Sequence, residues 1–399
     1  MSPRKEKLRS YFNSHPGQPL RPILTSLNGD ASWLMSFPCP APLEQGNRLG
    51  TKRFYHFITD AWLKGPATLL SPWLVCIERT EPAAVSNGNE VDGLVREIEE
   101  LAAVAQGTVL DEDPDAQLQQ PLLDAILIKL HVIDHLNRPT LETFDRSIPV
   151  FATAQAAPTI RGWGHFDRVV ETRDYKRYSG DTSIANNPSS TSDVPPEGLQ
   201  GHWKSFHPGK PLPDWLSVFR LVGDRDLELA TAIVWSHEDR ESNDERNGKN
   251  MKNEFIIDTP HGIDIKTESI VAFFDGNVIH KSTTAEASER PEVVDKLECL
   301  AIFAGLKDSY ALGMRSTIGV ERSLQLWRKA EPRYWVRSHD SPLRYSGAIM
   351  RLLMTTDVPR TLEYGLEEEK KQMLKGGKVE DLRVPDLVKV RNGECLVLD

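Results

Sequence analysis

Three short segments place imidazoles and carboxylates where an apolar run gives out. They are His131-Val132-Ile133-Asp134-His135, Thr259-Pro260-His261-Gly262 and Ser338-His339-Asp340. The runs before them, Leu122–Leu130, Glu254–Asp258 and Arg333–Arg337, read as strands. Loops beyond the C-terminal ends of strands are where α/β sheets put their chemistry. If the three strands are neighbours, the three loops converge. Imidazole nitrogen and carboxylate oxygen are the ligand types for zinc and for harder divalent ions. A bound ion would bring the pKa of its water toward ~7 and so make hydroxide available without a serine or cysteine nucleophile.

Other chemistries leave weaker traces. The sequence has no G-x-S-x-G elbow, no G-x-x-x-x-G-K-[ST] loop, and no G-x-G-x-x-G after a strand. Its four cysteines, Cys39, Cys76, Cys299 and Cys395, are scattered and include no C-x-x-C pair. They read as reduced thiols and exclude a cysteine zinc knuckle or a disulfide framework. Any metal site must therefore use histidines and carboxylates. His165 reads as a core or supporting residue. His202 and His207 are spare imidazoles whose plainer reading is solvent exposure.

The elements that must position these groups follow α/β order. Ile23–Leu27 and Ala31–Phe37 form a hairpin across Asn28-Gly29-Asp30, and Arg53–Asp60 is a third strand. Glu90–Ala105 is helical, with Val91, Leu94, Val95, Ile98, Leu101 and Ala102 at spacings of three and four. After the strand ending at Leu130 come a loop (131–138), a short helix from Pro139, a strand at Val150–Thr153, a helix over Ala154–Trp163 and a strand at Val169–Thr172. The second half adds strands at 227–234, 254–258, 297–303 and 333–337, with a helix at 319–328. Thr361–Gly376 reads as a charged helix. The segments at about 178–200 and 238–253 read as loop insertions.

Composition bounds the rest. The chain has 399 residues and a formal charge of −10, which argues against a nucleic-acid surface. No apolar run is long enough to span a membrane. The charged start, Met1-Ser2-Pro3-Arg4-Lys5-Glu6-Lys7, is unlike a secretory signal, so a cytoplasmic location is the expectation. The expected division is an N-terminal extension (1–20), a main domain (21–355), and a charged C-terminal helix and tail (356–399).

Several segments taken together resemble the metallo-β-lactamase superfamily, and more narrowly a fungal-type branch distantly related to its lactonase- and phospholipase-type members. Leu27–Leu34 resembles the opening hairpin. Asp60-Ala61-Trp62-Leu63-Lys64-Gly65-Pro66 resembles D-P-W-L-x-G-P, with Ala61 where proline is usual. Pro149–Thr153 with Ile160–Phe166, Thr259–Ile263 and Tyr334–Asp340 resemble later motifs. The resemblance covers roughly residues 20 to 350. It implies an α/β fold, an αββα sandwich of two mixed β-sheets flanked by helices, with a metal site at one edge.

The first ligand motif departs from the family. H-x-H-x-D-H, or H-x-x-x-D-H in this branch, appears here as Leu130-His131-Val132-Ile133-Asp134-His135. The Asp-His end is intact; both early histidine positions are apolar, and His131 lies one residue off. Ser341 follows Asp340 where relatives carry Glu. The resemblance thus implies a single divalent ion, zinc with iron or manganese as alternatives, on Asp134, His135, His261 and His339. Asp134 would be ligand or general base, and His131 and Asp340 are further candidates. The expected function is a metal-dependent hydrolase of an ester, lactone, amide or phosphodiester in a small-molecule substrate, through metal-bound hydroxide. One alternative is a metal-free or inactive descendant that binds a small molecule or a protein partner. Another is a metal-free isomerase or dehydratase with His131 or His261 as acid or base.

Overall fold

The computed structural model describes residues 2–43, 52–107, 121–176, 202–238, 251–278, 296–376 and 382–399. The insertion expected at about 178–200, and nearly all of that at 238–253, lie outside them.

Alternating side chains sort the strands into two layers with three apolar zones. The chain opens with α1 (Pro3–Ser14), β1 (Ile23–Ser26), β2 (Trp33–Leu43) and β3 (Lys52–Thr59). A ribbon of β4 (Ala67–Leu69) and β5 (Val75–Arg79) precedes α2 (Gly88–Ala105). Then β6 (Ala125–Ile128), α3 (Arg138–Leu141), β7 (Val150–Ala152), α4 (Ala157–Trp163) and β8 (Val169–Glu171) alternate. They build a seven-stranded sheet in the order β20-β1-β2-β3-β6-β7-β8, where β20 is Cys395–Val397. It is antiparallel from β20 to β3 and parallel from β3 to β8.

The second half runs through β9 (Arg173–Asp174), β10 (Leu216–Val222), β11 (Leu229–Glu238), β12 (Met251–Thr259), α5 (Glu268–Asn277) and β13 (Leu297–Ala304). It continues with β14 (Asp308–Ala311), β15 (Met314–Thr317), α6 (Val320–Ala330), β16 (Tyr334–Arg337), β17 (Leu343–Ser346), α7 (Ala348–Leu352), β18 (Thr356–Val358), α8 (Leu362–Lys375) and β19 (Leu387–Val388). The second sheet has the order β19-β16-β13-β12-β11-β10-β9 and is also mixed. Two three-stranded sheets, β15-β14-β18 and β17-β5-β4, flank the main pair.

Side-chain parity gives the layering. On β3, Tyr55 and Phe57 enter a core shared with Ile233, Trp235 and Ile256 of the other sheet, whereas Phe54 and Ile58 enter a second core under α2. On β12, Ile256 faces the shared core, while Phe255 and Ile257 meet Phe273 of α5 and Leu324 of α6 in a third. Helix, sheet, sheet, helix is the αββα sandwich that the resemblance implied. The described residues contain no helix long and apolar enough to cross a membrane, and all four cysteines are free.

Helix boundaries follow local chemistry. Asn87 caps α2 by accepting from the Glu90 amide, and the helix buries Val91, Leu94, Val95, Ile98 and Ala102 along one stripe. The fourth helix starts at Ala157 rather than the expected Ala154, because Pro158 fits only a first turn. The residues set apart as an N-terminal extension carry α1, whose Leu8 and Phe12 are buried in the core under α2. The last eighteen residues add β19 to one sheet and β20 to the other.

Candidate metal centre

Each expected loop leaves the C-terminal end of a strand, and the two sheets present those ends at one edge. After β6 the backbone closes a helical turn, with the His135 and Leu136 amides both donating to the Val132 carbonyl. That turn aims His135 inward. His261 follows β12 by two residues. His339 follows β16 with φ 60°, in the left-handed region that few non-glycine residues adopt and in which histidine is enriched. The three rings meet: centroids are 5.7 Å apart for His135–His261, 5.0 Å for His135–His339 and 4.9 Å for His261–His339. One ring nitrogen from each lies within 4.8 Å of the others.

Every ring is held by its Nδ1. His135 Nδ1 meets Asp60 Oδ2 at 2.7 Å, His261 Nδ1 meets Thr317 Oγ1 at 2.7 Å, and His339 Nδ1 meets Asp30 Oδ2 at 3.2 Å. Such partners fix the orientation of a ligating imidazole and leave Nε2 for the metal. Nε2 of His135 and of His261 are buried and have no hydrogen-bond partner. A buried polar atom with nothing to bond is rare and needs an explanation. Three imidazoles aimed at a common point, with these unsatisfied nitrogens, fit a divalent ion of the zinc type.

The charges around the rings are shaped by a buried lysine. Lys129 lies one residue past β6, on the inward face that Leu127 shares. Its ammonium contacts an Asp258 carboxylate oxygen and lies 3.2 Å from Asp60 Oδ2. All three groups are buried, so each charge depends on the others. Burial would lower the Lys129 pKa, but Asp258 and Asp60 raise it above the ordinary value. Burial would raise that of Asp60, but Lys129 and His135 hold it low. For Asp258 burial wins over Lys129, and its pKa is raised. Burial would also lower the His135 pKa, yet Asp60 and Asp134 raise it. Burial, His339, His135 and Lys307 together push His261 well down, which keeps that ring neutral and able to donate a lone pair.

The other residues singled out in the sequence are distributed around this cluster. Asp134 Oδ2 is 3.9 Å from His135 Nε2. Asp340 spends one oxygen on the Leu306 and Lys307 amides and the other on Arg337 Nε. His131 is half-buried, Leu130 fully buried, and neither belongs to the cluster. His165 bonds the Phe144 carbonyl and His207 the Pro213 carbonyl, both away from the site. Beside the Asp30–Ser341 contact is a cavity of about 550 Å³ lined by Lys307, Arg337, Asp340, Tyr345 and Asp357, among others. Sequence reasoning gave no role to Asp30, Asp60, Lys129, Asp258 or Thr317. The available signal was a lysine on the inward face of an apolar strand, which must find carboxylate partners.

No protein-family model matches the chain, and no curated protein matches it. Among solved structures, the isothiocyanate hydrolase from Delia radicum gut bacteria aligns at 12% identity and a TM-score of 0.40, over 94% of this chain and 98% of that one. A possible metal-dependent hydrolase from Veillonella parvula aligns at 9% identity and a TM-score of 0.40, over 95% and 100%. The metallo-β-lactamase fold protein YhfI from Bacillus subtilis aligns at 8% identity and a TM-score of 0.35, over 94% and 99%. The strand order and the three apolar zones themselves define the class: an αββα sandwich with a three-histidine centre at one edge.

Proposed function

We propose that this chain is a hydrolase of the metallo-β-lactamase superfamily that works with one divalent metal ion, zinc first among the candidates. The observation that carries the reading is the convergence of His135, His261 and His339, each held by Nδ1, with two buried Nε2 atoms left unsatisfied. His135, His261 and His339 would hold the ion, which would supply polarisation of an ester, amide or phosphoryl oxygen and a water acidified toward neutral pH. The chain's own residues supply the rest. Asp134, whose Oδ2 lies 3.9 Å from His135 Nε2, would complete the ligand set or take a proton from water. Asp60, Thr317 and Asp30 keep the rings from rotating. The cavity beyond Asp340 has the size of a small-molecule site, and none of the three histidines lines it. Lys129, between Asp60 and Asp258, fills space near the centre with a fixed cation, which suits one metal rather than two.

The test is elemental analysis of protein purified without a His-tag or chelator, beside a His135→Ala/His339→Ala double variant. About one metal per chain in the wild type, lost in the variant, is the expected result. No metal in the wild type, even after incubation with zinc or manganese, would overturn the reading and leave a metal-free binding protein in its place.

A further inference from the structure

Few buried polar atoms in a folded protein lack a hydrogen bond. Among the described residues, Arg79 is the only side chain with two such atoms, Nε and Nη1. Its remaining nitrogen, Nη2, donates to the Leu63 carbonyl at 3.1 Å, and the guanidinium lies over the Trp62 ring, 5.1 Å from its centroid. Arginine keeps its charge, so taking it from water without an acceptor is costly. Burial lowers the Arg79 pKa, and the charge of Asp30 opposes that. Asp30 has already spent its two carboxylate oxygens, one on His339 Nδ1 and the other on the Ser341 amide. Glu78, next in sequence, projects from the opposite face of β5, where it is exposed across from Arg344.

Strand pairing gives the side on which this group lies. Arg79 stands opposite Leu343 across β5 and β17, and Ile77 opposite Tyr345, so the four side chains share one face of the small sheet. That face is turned toward the metal loop, because Ile77, Leu343 and Tyr345 share an apolar cluster with Trp62 and Ile133. The segment after β3 supplies Asp60, which holds His135, and three residues on the Leu63 carbonyl that holds Arg79. The segment before β17 supplies Ser341, which bonds Asp30, the holder of His339. Leu343 and Tyr345 also line the cavity beyond Asp340. Arg79 thus lies, half-buried, between the segments that fix two of the three histidines.

We propose that Arg79 recognises an oxyanion, a carboxylate or a phosphate, on the molecule that the centre acts on. Water could accept from Nε and Nη1, but only an anion also answers the charge, and charge-assisted bonds from a guanidinium to carboxylate or phosphate oxygens are the strong ones. The residue would bind and orient the substrate without touching the bond that is broken. It would also discriminate: a neutral analogue leaves the guanidinium without its partner, and a site built to bond a polar group rejects the ligand that lacks it. The inference rests on the hydrolase reading for what is bound, and on Arg79 alone for its charge.

The test is thermal unfolding of the full chain, as purified and again after chelator treatment, in sodium phosphate, sodium acetate and sodium chloride of equal ionic strength. The variant Arg79→Met has a side chain of similar character along its stem and no charge. In chloride it should be at least as stable as the wild type, because it no longer buries an unpaired cation. Phosphate or acetate should raise the wild-type midpoint saturably, with an apparent affinity at least about tenfold lower in the variant. A rise with phosphate alone assigns a phosphoryl group to the substrate, and a rise with acetate a carboxylate. Arg79→Lys, which keeps the charge without the planar guanidinium, should retain part of the response. No Arg79-dependent rise with either anion, in either preparation, would overturn the proposal. So would an Arg79→Met variant that is less stable in chloride yet responds to both anions like the wild type, which would make the guanidinium a structural strut. An Arg79-dependent rise in protein that elemental analysis finds free of metal leaves the anion site standing without the hydrolase, whereas metal without that rise removes the anion site alone.

Discussion

At the scale of single residues, the arrangement around the histidines depends on Lys129. Its ammonium is the one cation in contact with both Asp60 and Asp258 among the described residues, and none of the three has water to fall back on. Removing one member of a buried ion group leaves uncompensated charge and costs about 3–5 kcal/mol. Lys129→Met should therefore lower the unfolding free energy by about that amount in urea titration, and adding Asp258→Asn should return part of the loss. A loss under about 1 kcal/mol would mean that the carboxylates are not charged in the folded state. The three histidines were legible in the sequence because each closes a recognisable strand. Their Nδ1 partners were not, since Asp30 lies in a turn, Asp60 after a different strand, and Thr317 on a short hairpin. Nothing local in sequence announces that such distant residues share a hydrogen bond.

At the scale of elements, legibility followed the strength of periodicity. Helix α2 and strands β3, β12 and β13 carry long apolar patterns and were readable within a few residues. Helix α1 was not. Its composition is dominated by charge, and only Leu8 and Phe12 are buried, yet they join Val91 and Val95 of α2 in the first core. Strands β19 and β20 are two and three residues long, too short for any alternation to show. The contribution of α1 can be measured. Phe12→Ala should destabilise the protein by about 3 kcal/mol, read as a shifted urea midpoint with an unchanged slope, because it opens a void under a sheet rather than at a frayed end. An effect within about 0.5 kcal/mol would show that the helix merely lies on the surface.

At the scale of the whole molecule, charge networks join the two layers at both edges. Opposite the histidines, Glu254 of β12 receives Arg21, from the segment leading into β1, at 2.8 Å, and His237 at 3.0 Å. Burial would raise the Glu254 pKa, but hydrogen bonds from His237 and Arg21, together with the Arg21 charge, bring it down to about 2 from an ordinary 4.5. A carboxyl held down in the folded state stabilises the fold above its unfolded pKa, and that stabilisation is lost as pH falls from about 4.5 toward 2. The shift corresponds to roughly 3 kcal/mol. Glu254→Gln should thus weaken the fold most near neutral pH, and its stability curve should converge on the wild type in acid. Equal loss at all pH values would assign the effect to packing. At the other edge, the bond between Lys129 and Asp258 runs from one sheet to the other. That bond carries a consequence for descent. Changing the lysine alone leaves two carboxylates in the interior without the cation they share, so that single step carries a loss. Related sequences should therefore keep Lys129, Asp60 and Asp258 together or have exchanged them together, and an aligned set of homologues should show the three positions varying as one unit.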